Sequence, residues 1–142
     1  MLFELAVSTA MVLASVVFHG VGLVALGRVL RLDRSRTYSF GALSTRGLGL
    51  TVAVVLGLFV LHGVEIWAYA LLYHLTGAVE DVREAVYFST ITYGAIGYGD
   101  GPIADDWKLV AGIEGINGVL LIGWSVAFFV TVMDRFSLRR RG

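Results

Sequence analysis

Three long apolar stretches dominate this chain and restrict its fold more than any other feature. The first, residues 5–27, carries no charge, and the other two, residues 47–73 and 109–133, contain one acid each. A helix needs about 20 residues to cross the roughly 30 Å hydrocarbon layer of a bilayer. The mean hydropathy of +0.80 and the absence of cysteine agree with a membrane protein without disulfides. We therefore predict an all-α membrane protein with three transmembrane helices.

The charges that flank these stretches predict the orientation of the chain. Arginines are concentrated in the first connection, residues 28–46, and in the tail after residue 134. The charged residues of the segment 76–106 are instead mainly acidic. Basic loops remain on the cytoplasmic side, so we expect the amino terminus outside the cell membrane and the carboxyl terminus in the cytoplasm. The basic clusters are interpreted as orientation signals, with membrane lipids as partners and no nucleic acid.

The segment between the second and third stretches contains an apolar part that is too short to cross a bilayer. Residues 82–94 are predicted to form a re-entrant half-helix that starts beside the acids Glu80, Asp81 and Glu84. Acids are favoured at the positive end of the helix dipole, and the carbonyl end then attracts a cation within the membrane. Irregular backbone at that depth is tolerated only where protein covers it or where it lines a water-filled path.

The string Ile-Gly-Tyr-Gly-Asp follows this half-helix at residues 96–100. Glycine-rich strings also occur in phosphate-binding turns, but such turns follow a strand and begin a soluble helix. No strand pattern precedes this one, which disfavours the phosphate interpretation. Gly97 and Gly99 permit backbone conformations that other residues resist, so that carbonyls can turn toward a common axis.

With its flanking apolar stretches, this string resembles the selectivity filter of bacterial pore-loop potassium channels of the two-span type. The resemblance covers residues 47–136, roughly two thirds of the chain. It implies an outer helix at 47–73, a pore helix at about 82–94, a filter at 95–100 and an inner helix at 107–134. Residues 1–46 would add an amino-terminal transmembrane helix with a basic cytoplasmic connection, and residues 137–142 would form a basic tail.

The resemblance also implies the site and its ligand. Backbone groups of the filter would bind K⁺ ions, without an organic cofactor, as carbonyls do in potassium channels. The expected ion-binding residues are Ala95, Ile96, Gly97, Tyr98 and Gly99, of which the first four would supply the carbonyl ligands. Asp100 would lie at the outer mouth. One chain supplies a single row of carbonyls, so the resemblance implies a homotetramer.

One position of the predicted filter departs from the family pattern. Ala95 stands where the family usually has threonine, so a hydroxyl ligand is missing. A potassium-selective channel remains the leading hypothesis, with a weakly selective or non-selective cation channel and a non-conducting membrane assembly subunit as alternatives.

Gly118 lies close to the position of the family's inner-helix hinge glycine and is the candidate gating hinge, in competition with nearby packing glycines.

The two acids of the apolar stretches predict a second feature. Charged groups inside a membrane are costly and tend to pair, so we expect a buried polar network behind the pore helix. Its predicted members are His62, Glu65, Glu114 and Asn117. The network would either brace the pore helix or sense pH. His19 and His74 have no metal-ligand neighbours in the sequence and are expected at a membrane interface.

Other polar residues add one expectation and one exclusion. The pore helix carries hydroxyls at Ser89, Thr90, Thr92 and Tyr93, which could stabilise the filter or form hydrogen bonds within the helix. No nucleophile, base and orienting residue converge in the sequence, which argues against an enzyme.

Overall fold

The residues that the structure describes form four α-helices. The structure is a computed structural model that describes residues 1–32, 44–97 and 103–137, with side chains to residue 134. The helices are α1 (Leu2–Val29), α2 (Thr45–Leu75), α3 (Val82–Tyr93) and α4 (Lys108–Ser137), and one turn of 3-10 helix, Asp105–Trp107, precedes α4.

The predicted all-α fold is confirmed. Three helices are long and apolar enough to cross a membrane, namely α1, α2 and the 3-10 turn continued by α4. No strand occurs within the three described ranges. Part of the first connection, residues 33–43, and the last five residues of the tail lie outside the described residues, as does the second half of the predicted filter, residues 98–100.

Side-chain caps fix where two of the helices begin. Ser44 precedes α2, and its hydroxyl accepts a hydrogen bond from the backbone N–H of Gly47 at 3.1 Å. Asp81 precedes α3, and its carboxylate accepts one from the N–H of Glu84 at 3.0 Å. Such caps stabilise a helix by about 1 kcal/mol because they satisfy otherwise unpaired N–H groups. The short helix therefore begins at Val82, where the acidic residues of the sequence predict its start.

The short helix α3 packs between α2 and α4, and the core beneath it is aromatic. Tyr69 and Tyr73 of α2, Phe88 of α3 and Val110 of α4 belong to one cluster of buried residues. A second cluster joins α1, α2 and α4 and includes Leu23, Val54 and Val132. The extra helix α1 lies against both α2 and α4, with the larger contact on α4.

Small residues allow α1 and α2 to approach each other closely. A Cβ atom at Gly22 of α1 would overlap the side chain of Leu61 in α2. In the same way, a Cβ atom at Gly57 of α2 would overlap Leu26 of α1. Membrane helices use small residues at such crossings because van der Waals packing replaces the hydrophobic effect between them. Gly22 and Gly57 thus allow α1 and α2 to pack closely.

Most of the apolar surface remains exposed in a single chain. At most 28% of the most apolar part of each membrane-length helix is buried. Exposed side chains include Phe59, Ile116, Val119 and Leu120. A surface of this size must be covered by lipid or by other protein.

Candidate functional site

The chain leaves α3 through a turn that is closed by backbone hydrogen bonds. The N–H of Ala95 donates to the carbonyl of Thr92 at 2.9 Å, and the N–H of Ile96 donates to the carbonyl of Ile91 at 2.8 Å. These two bonds form a Schellman motif, the common end of an α-helix, with Gly94 as its C-cap. The helix end therefore directs residues 94–97 away from α3 in a defined conformation. These residues are here called the filter turn, because they overlap the start of the predicted filter segment at residues 95–100.

Two residues of this turn have left-handed backbone conformations. Ala95 has φ of +53° and Gly97 has φ of +54°. Glycine adopts this conformation without a steric penalty, whereas alanine incurs a cost of roughly 1 kcal/mol. Residues 94–97 are exposed in the single chain, and their N–H groups donate to carbonyls of α3. Their own carbonyls can therefore face another copy or a solvent path. Of the predicted filter, Tyr98, Gly99 and Asp100 lie outside the described residues.

Five polar side chains behind this turn form a closed cycle of contacts, here called the histidine ring. Its members, from all four helices, are His19, His62, Glu65, Tyr93 and Ser125. Glu65 has its two carboxylate oxygens 2.9 Å from His19 Nδ1 and 2.5 Å from the hydroxyl of Tyr93. That hydroxyl lies 2.9 Å from His62 Nδ1. Ser125 Oγ closes the cycle, 2.9 Å from His62 Nε2 and 3.1 Å from His19 Nε2.

Most of the histidine ring is buried, and the ring adjoins the turn at residues 94–97. His19 is fully buried and Glu65 is 2% exposed, while the side chain of His62 is 17% exposed. Tyr93, the last residue of α3, directly precedes Gly94 and the filter segment. A cycle of buried polar groups with partners on every side holds its members in one arrangement. The ring therefore couples α1 to the residue from which the filter segment departs.

Glu114 is the centre of a second, smaller group of polar side chains. Its carboxylate accepts hydrogen bonds from Ser89 Oγ at 2.5 Å and from the Tyr73 hydroxyl at 2.6 Å. Ser89 also lies 3.0 Å from the backbone carbonyl of Ile66. Because these partners belong to α2 and α3, Glu114 on α4 joins the three helices that surround the filter turn. Hydrogen bonds of this kind prevent the cost of burying an unpaired carboxylate.

The four residues predicted as one buried network lie on α2 and α4, but the structure divides them. His62 and Glu65 lie 3.4 Å apart within the histidine ring. Glu114 forms its own group, and Asn117 donates to the hydroxyl of Tyr69 at 3.4 Å. The prediction of a single network thus resolves into two groups and a separate pair.

His19 was expected at a membrane interface, and that expectation is wrong. The residue is fully buried and contacts Glu65 and Ser125. An ionisable residue in the middle of an otherwise uncharged apolar stretch was the available signal, since such residues usually face protein and find a partner.

The hydroxyls of α3 have different roles. Tyr93 and Ser89 bond to the buried acids, whereas Thr90 donates to the carbonyl of Val86 within the helix. The two alternatives left open by the sequence therefore both occur, at different residues.

Gly118 marks the closest approach of α4 to the end of α3. A Cβ atom at this position would overlap the backbone carbonyl of Tyr93, and one at Gly115 would lie 3.2 Å from the carbonyl of Thr92. The absence of a side chain lets the two backbones meet directly behind the filter turn. This contact explains why glycine is required at residue 118, and its role as a gating hinge stays a prediction.

Comparison with known proteins identifies a family for this chain. No curated protein and no solved structure was found to match the chain. The family model described as "Ion channel" matches residues 54–135, which is more than half of the chain. The matched part begins in α2 and ends in α4, so it includes α3 and the filter segment. The chain therefore belongs to the ion channel family.

Proposed function

We propose that the chain forms a potassium-selective channel, with K⁺ bound by the backbone carbonyls of residues 95–98. The observation that carries this proposal is the position of the string at residues 96–100, directly after the carbonyl end of α3. That helix end is held by α2 and α4 through the histidine ring and the Glu114 group. A rigid support of this kind is what a site of defined diameter requires.

The direction of α3 supports cation binding at the turn. The aligned peptide dipoles of a helix give its carboxyl end a partial negative charge of roughly half an electron. The ends of four such helices directed at one axis would stabilise a cation there. Glu84 in the first turn of α3 lies at the opposite, positive end, where an acid is favourable.

We further propose a homotetramer with fourfold symmetry. A single chain offers one row of carbonyls, which cannot replace the hydration shell of an ion. Residues 94–97 are exposed in the chain, and so are the apolar side chains Ile116, Val119 and Leu120 of α4. Four copies around an axis would cover such surfaces and bring the four filter segments together.

A weakly selective cation channel is the second candidate, and Ala95 favours it. The methyl side chain of Ala95 offers no oxygen ligand, so the innermost ion site has carbonyl ligands only. Fewer fixed oxygen ligands reduce the discrimination between K⁺ and Na⁺ when selectivity depends on ligand number.

The reversal potential of the reconstituted protein tests these proposals. With K⁺ on one side of a planar bilayer and Na⁺ on the other, we expect a value near the K⁺ equilibrium potential. A value near zero with clear current would establish the weakly selective channel. Protein that assembles but passes no current over a range of pH and voltage would identify a non-conducting subunit.

The variant Ala95→Ser tests the contribution of the missing hydroxyl. Serine adds an oxygen without the branched Cβ that makes threonine unfavourable at a positive φ. We expect the reversal potential to move further toward the K⁺ equilibrium value. The matched control is Ala127→Ser, which adds the same hydroxyl to α4 away from the filter segment and should leave the selectivity unchanged.

The orientation with the amino terminus outside the cell is also a proposal. The chain has no cysteine, so single cysteines can be introduced at Leu2 and at Gly142 and labelled in intact cells with a thiol reagent that does not cross membranes. We expect labelling of Leu2→Cys only. Labelling of Gly142→Cys alone would reverse the proposed orientation.

A further inference from the structure

The histidine ring contains three side chains of metal-binding type within reach of one another. His19, His62 and Glu65 each offer a ligand atom within 4.8 Å of the other two. His19 Nδ1 is 2.9 Å from Oε1 of Glu65, and His62 Nδ1 is 3.4 Å from Oε2. In a tetrahedral zinc site with bonds of about 2.0–2.1 Å, neighbouring ligand atoms lie roughly 3.4 Å apart. Small side-chain rotations would therefore place the three atoms around one ion.

Ser125 is positioned to hold both imidazoles in the form that binds a metal. Its Oγ atom lies 2.9 Å from Nε2 of His62 and 3.1 Å from Nε2 of His19. A hydroxyl oxygen can accept two hydrogen bonds, so both histidines can carry their hydrogen on Nε2. Each Nδ1 atom then presents a lone pair toward Glu65. Metal-binding histidines usually have their second nitrogen fixed by such a partner.

A count of hydrogen atoms shows that the ring lacks hydrogens for two of its contacts. It has five contacts, between His19 and Glu65, Glu65 and Tyr93, Tyr93 and His62, His62 and Ser125, and Ser125 and His19. With Glu65 ionised and both histidines carrying their hydrogen on Nε2, only three hydrogens serve these contacts, because Ser125 accepts twice and its own hydrogen lies outside the cycle. The contact between His19 and Glu65 and one of the two contacts of Tyr93 are then without a hydrogen, and the buried carboxylate keeps its negative charge. A cation bound by both Nδ1 atoms and the carboxylate would replace the missing hydrogens and place positive charge beside the acid.

The surroundings favour a transition-metal ion over Ca²⁺ or Mg²⁺. Two imidazole nitrogens and one carboxylate suit Zn²⁺ and related ions, whereas Ca²⁺ and Mg²⁺ prefer oxygen ligands. The Tyr93 hydroxyl, which contacts Glu65 and His62, could serve as a fourth ligand. Tyr93 also ends α3, so the partial negative charge of that helix end lies beside the site. His62 lines a cavity of about 590 Å³ between α2, α3 and α4, which offers an entry path.

We propose that His19, His62 and Glu65 bind a divalent transition-metal ion such as Zn²⁺, with Ser125 as the residue that orients both histidines. The bound ion would join α1 to α2 beside the end of α3. This site is separate from the filter carbonyls and does not depend on which ion the channel conducts.

Metal binding by the purified full-length protein tests the proposal. Protein treated with a chelator would be titrated with Co²⁺, followed by its visible absorption, and with Zn²⁺ by equilibrium dialysis. We expect one ion per chain, intense absorption bands of four-coordinate Co²⁺, and no competition from Mg²⁺ or Ca²⁺.

Variants of the ligands locate the site. We expect His19→Gln and Glu65→Gln to weaken binding by about 100-fold or more, and Ser125→Ala by about 10-fold because it loses only the orienting contact. His74→Gln is the matched control, since His74 lies in the last turn of α2 outside the ring, and it should bind as the original chain does. Circular dichroism and gel filtration identify any variant that fails to fold.

Two results would overturn the proposal independently of the folding of any variant. The first is that the unmodified protein binds neither Zn²⁺ nor Co²⁺ at micromolar concentration. The second is that the metal-free protein at neutral pH holds a proton on the ring that neither Zn²⁺ nor Co²⁺ displaces, which would assign the position beside Glu65 to a proton. Binding that persists unchanged in well-folded His19→Gln and Glu65→Gln would equally contradict it.

Discussion

Glu65 and Glu114 are both buried acids of apolar helices, yet their surroundings differ in kind. Glu65 contacts two histidines and a tyrosine, and its ring includes residues of all four helices. Glu114 contacts only hydroxyl groups, from Tyr73 and Ser89. The first acid therefore has partners that can carry positive charge, and the second has partners that are neutral.

This difference separates two ways of keeping a carboxylate inside a membrane protein. The hydroxyls around Glu114 donate hydrogen bonds and connect α4 to α2 and α3, which suits a brace. The histidines around Glu65 each direct one ring nitrogen at the acid, which suits the proposed cation site. The sequence places the two acids in comparable positions, but their partners give them different chemistry.

The largest expected effect comes from removing each acid in turn. Glu65→Ala removes the partner that both histidines and the Tyr93 hydroxyl share. We expect the free energy of unfolding to fall by about 3–5 kcal/mol, since breaking a buried pair of ionisable groups is strongly destabilising. Glu114→Ala should cost about 1–3 kcal/mol, because Ser89 keeps its bond to the carbonyl of Ile66 and one hydroxyl becomes unpaired. Thermal unfolding in detergent measures both, and equal losses would contradict the comparison.

A smaller effect is expected at the backbone contact behind the filter turn. Gly118→Ala forces a Cβ atom into the carbonyl of Tyr93, so α3 and α4 must separate near the histidine ring. Overpacking of this type costs about 1–3 kcal/mol. Gly112→Ala is the matched control, since a Cβ atom there meets no atom of the chain within 4 Å. If both variants unfold at the same temperature, the close approach of the two helices does not contribute to stability.

The smallest effect distinguishes the two hydroxyls that bind the acids. Tyr93→Phe removes a group that touches both Glu65 and His62, and we expect it to cost about 2 kcal/mol, in the range for a hydrogen bond to a charged group. Tyr73→Phe leaves Glu114 with its bond from Ser89, so we expect about 1 kcal/mol. Thermal unfolding in detergent measures both changes in stability, and single-channel recording measures the effect of each variant on conduction. Tyr93→Phe should alter the stability of the open filter, whereas Tyr73→Phe should not.

Sequence reasoning was most successful where the determinants are local. The apolar length of α1, α2 and α4 predicts membrane-length helices because a helix satisfies its own backbone hydrogen bonds within one segment. Asp81 and the acids beside it predict the start of α3 because caps and dipole effects act within one helical turn.

Sequence reasoning was less successful where side chains from different helices meet. The set of His62, Glu65, Glu114 and Asn117 was chosen by depth and sequence spacing, and these criteria do not give the rotation of one helix about its axis relative to another. Asn117 and Glu114 lie one turn apart on α4, yet they bond to different tyrosines of α2. His19 was misplaced for the same reason, since nothing local to α1 indicates which face meets Glu65.

The sequence by itself determined the class of the protein, its membrane helices, the short helix between them and the glycine-rich string that follows. These features depend on hydropathy, capping and backbone freedom, which act over a few residues. Only the tertiary structure decided that His19 and Ser125, which are 106 positions apart, form a hydrogen bond. It also decided that Gly118 contacts the end of α3. Such contacts depend on how helix faces pack against one another, and many rotations of the same apolar helices satisfy the same hydropathy pattern.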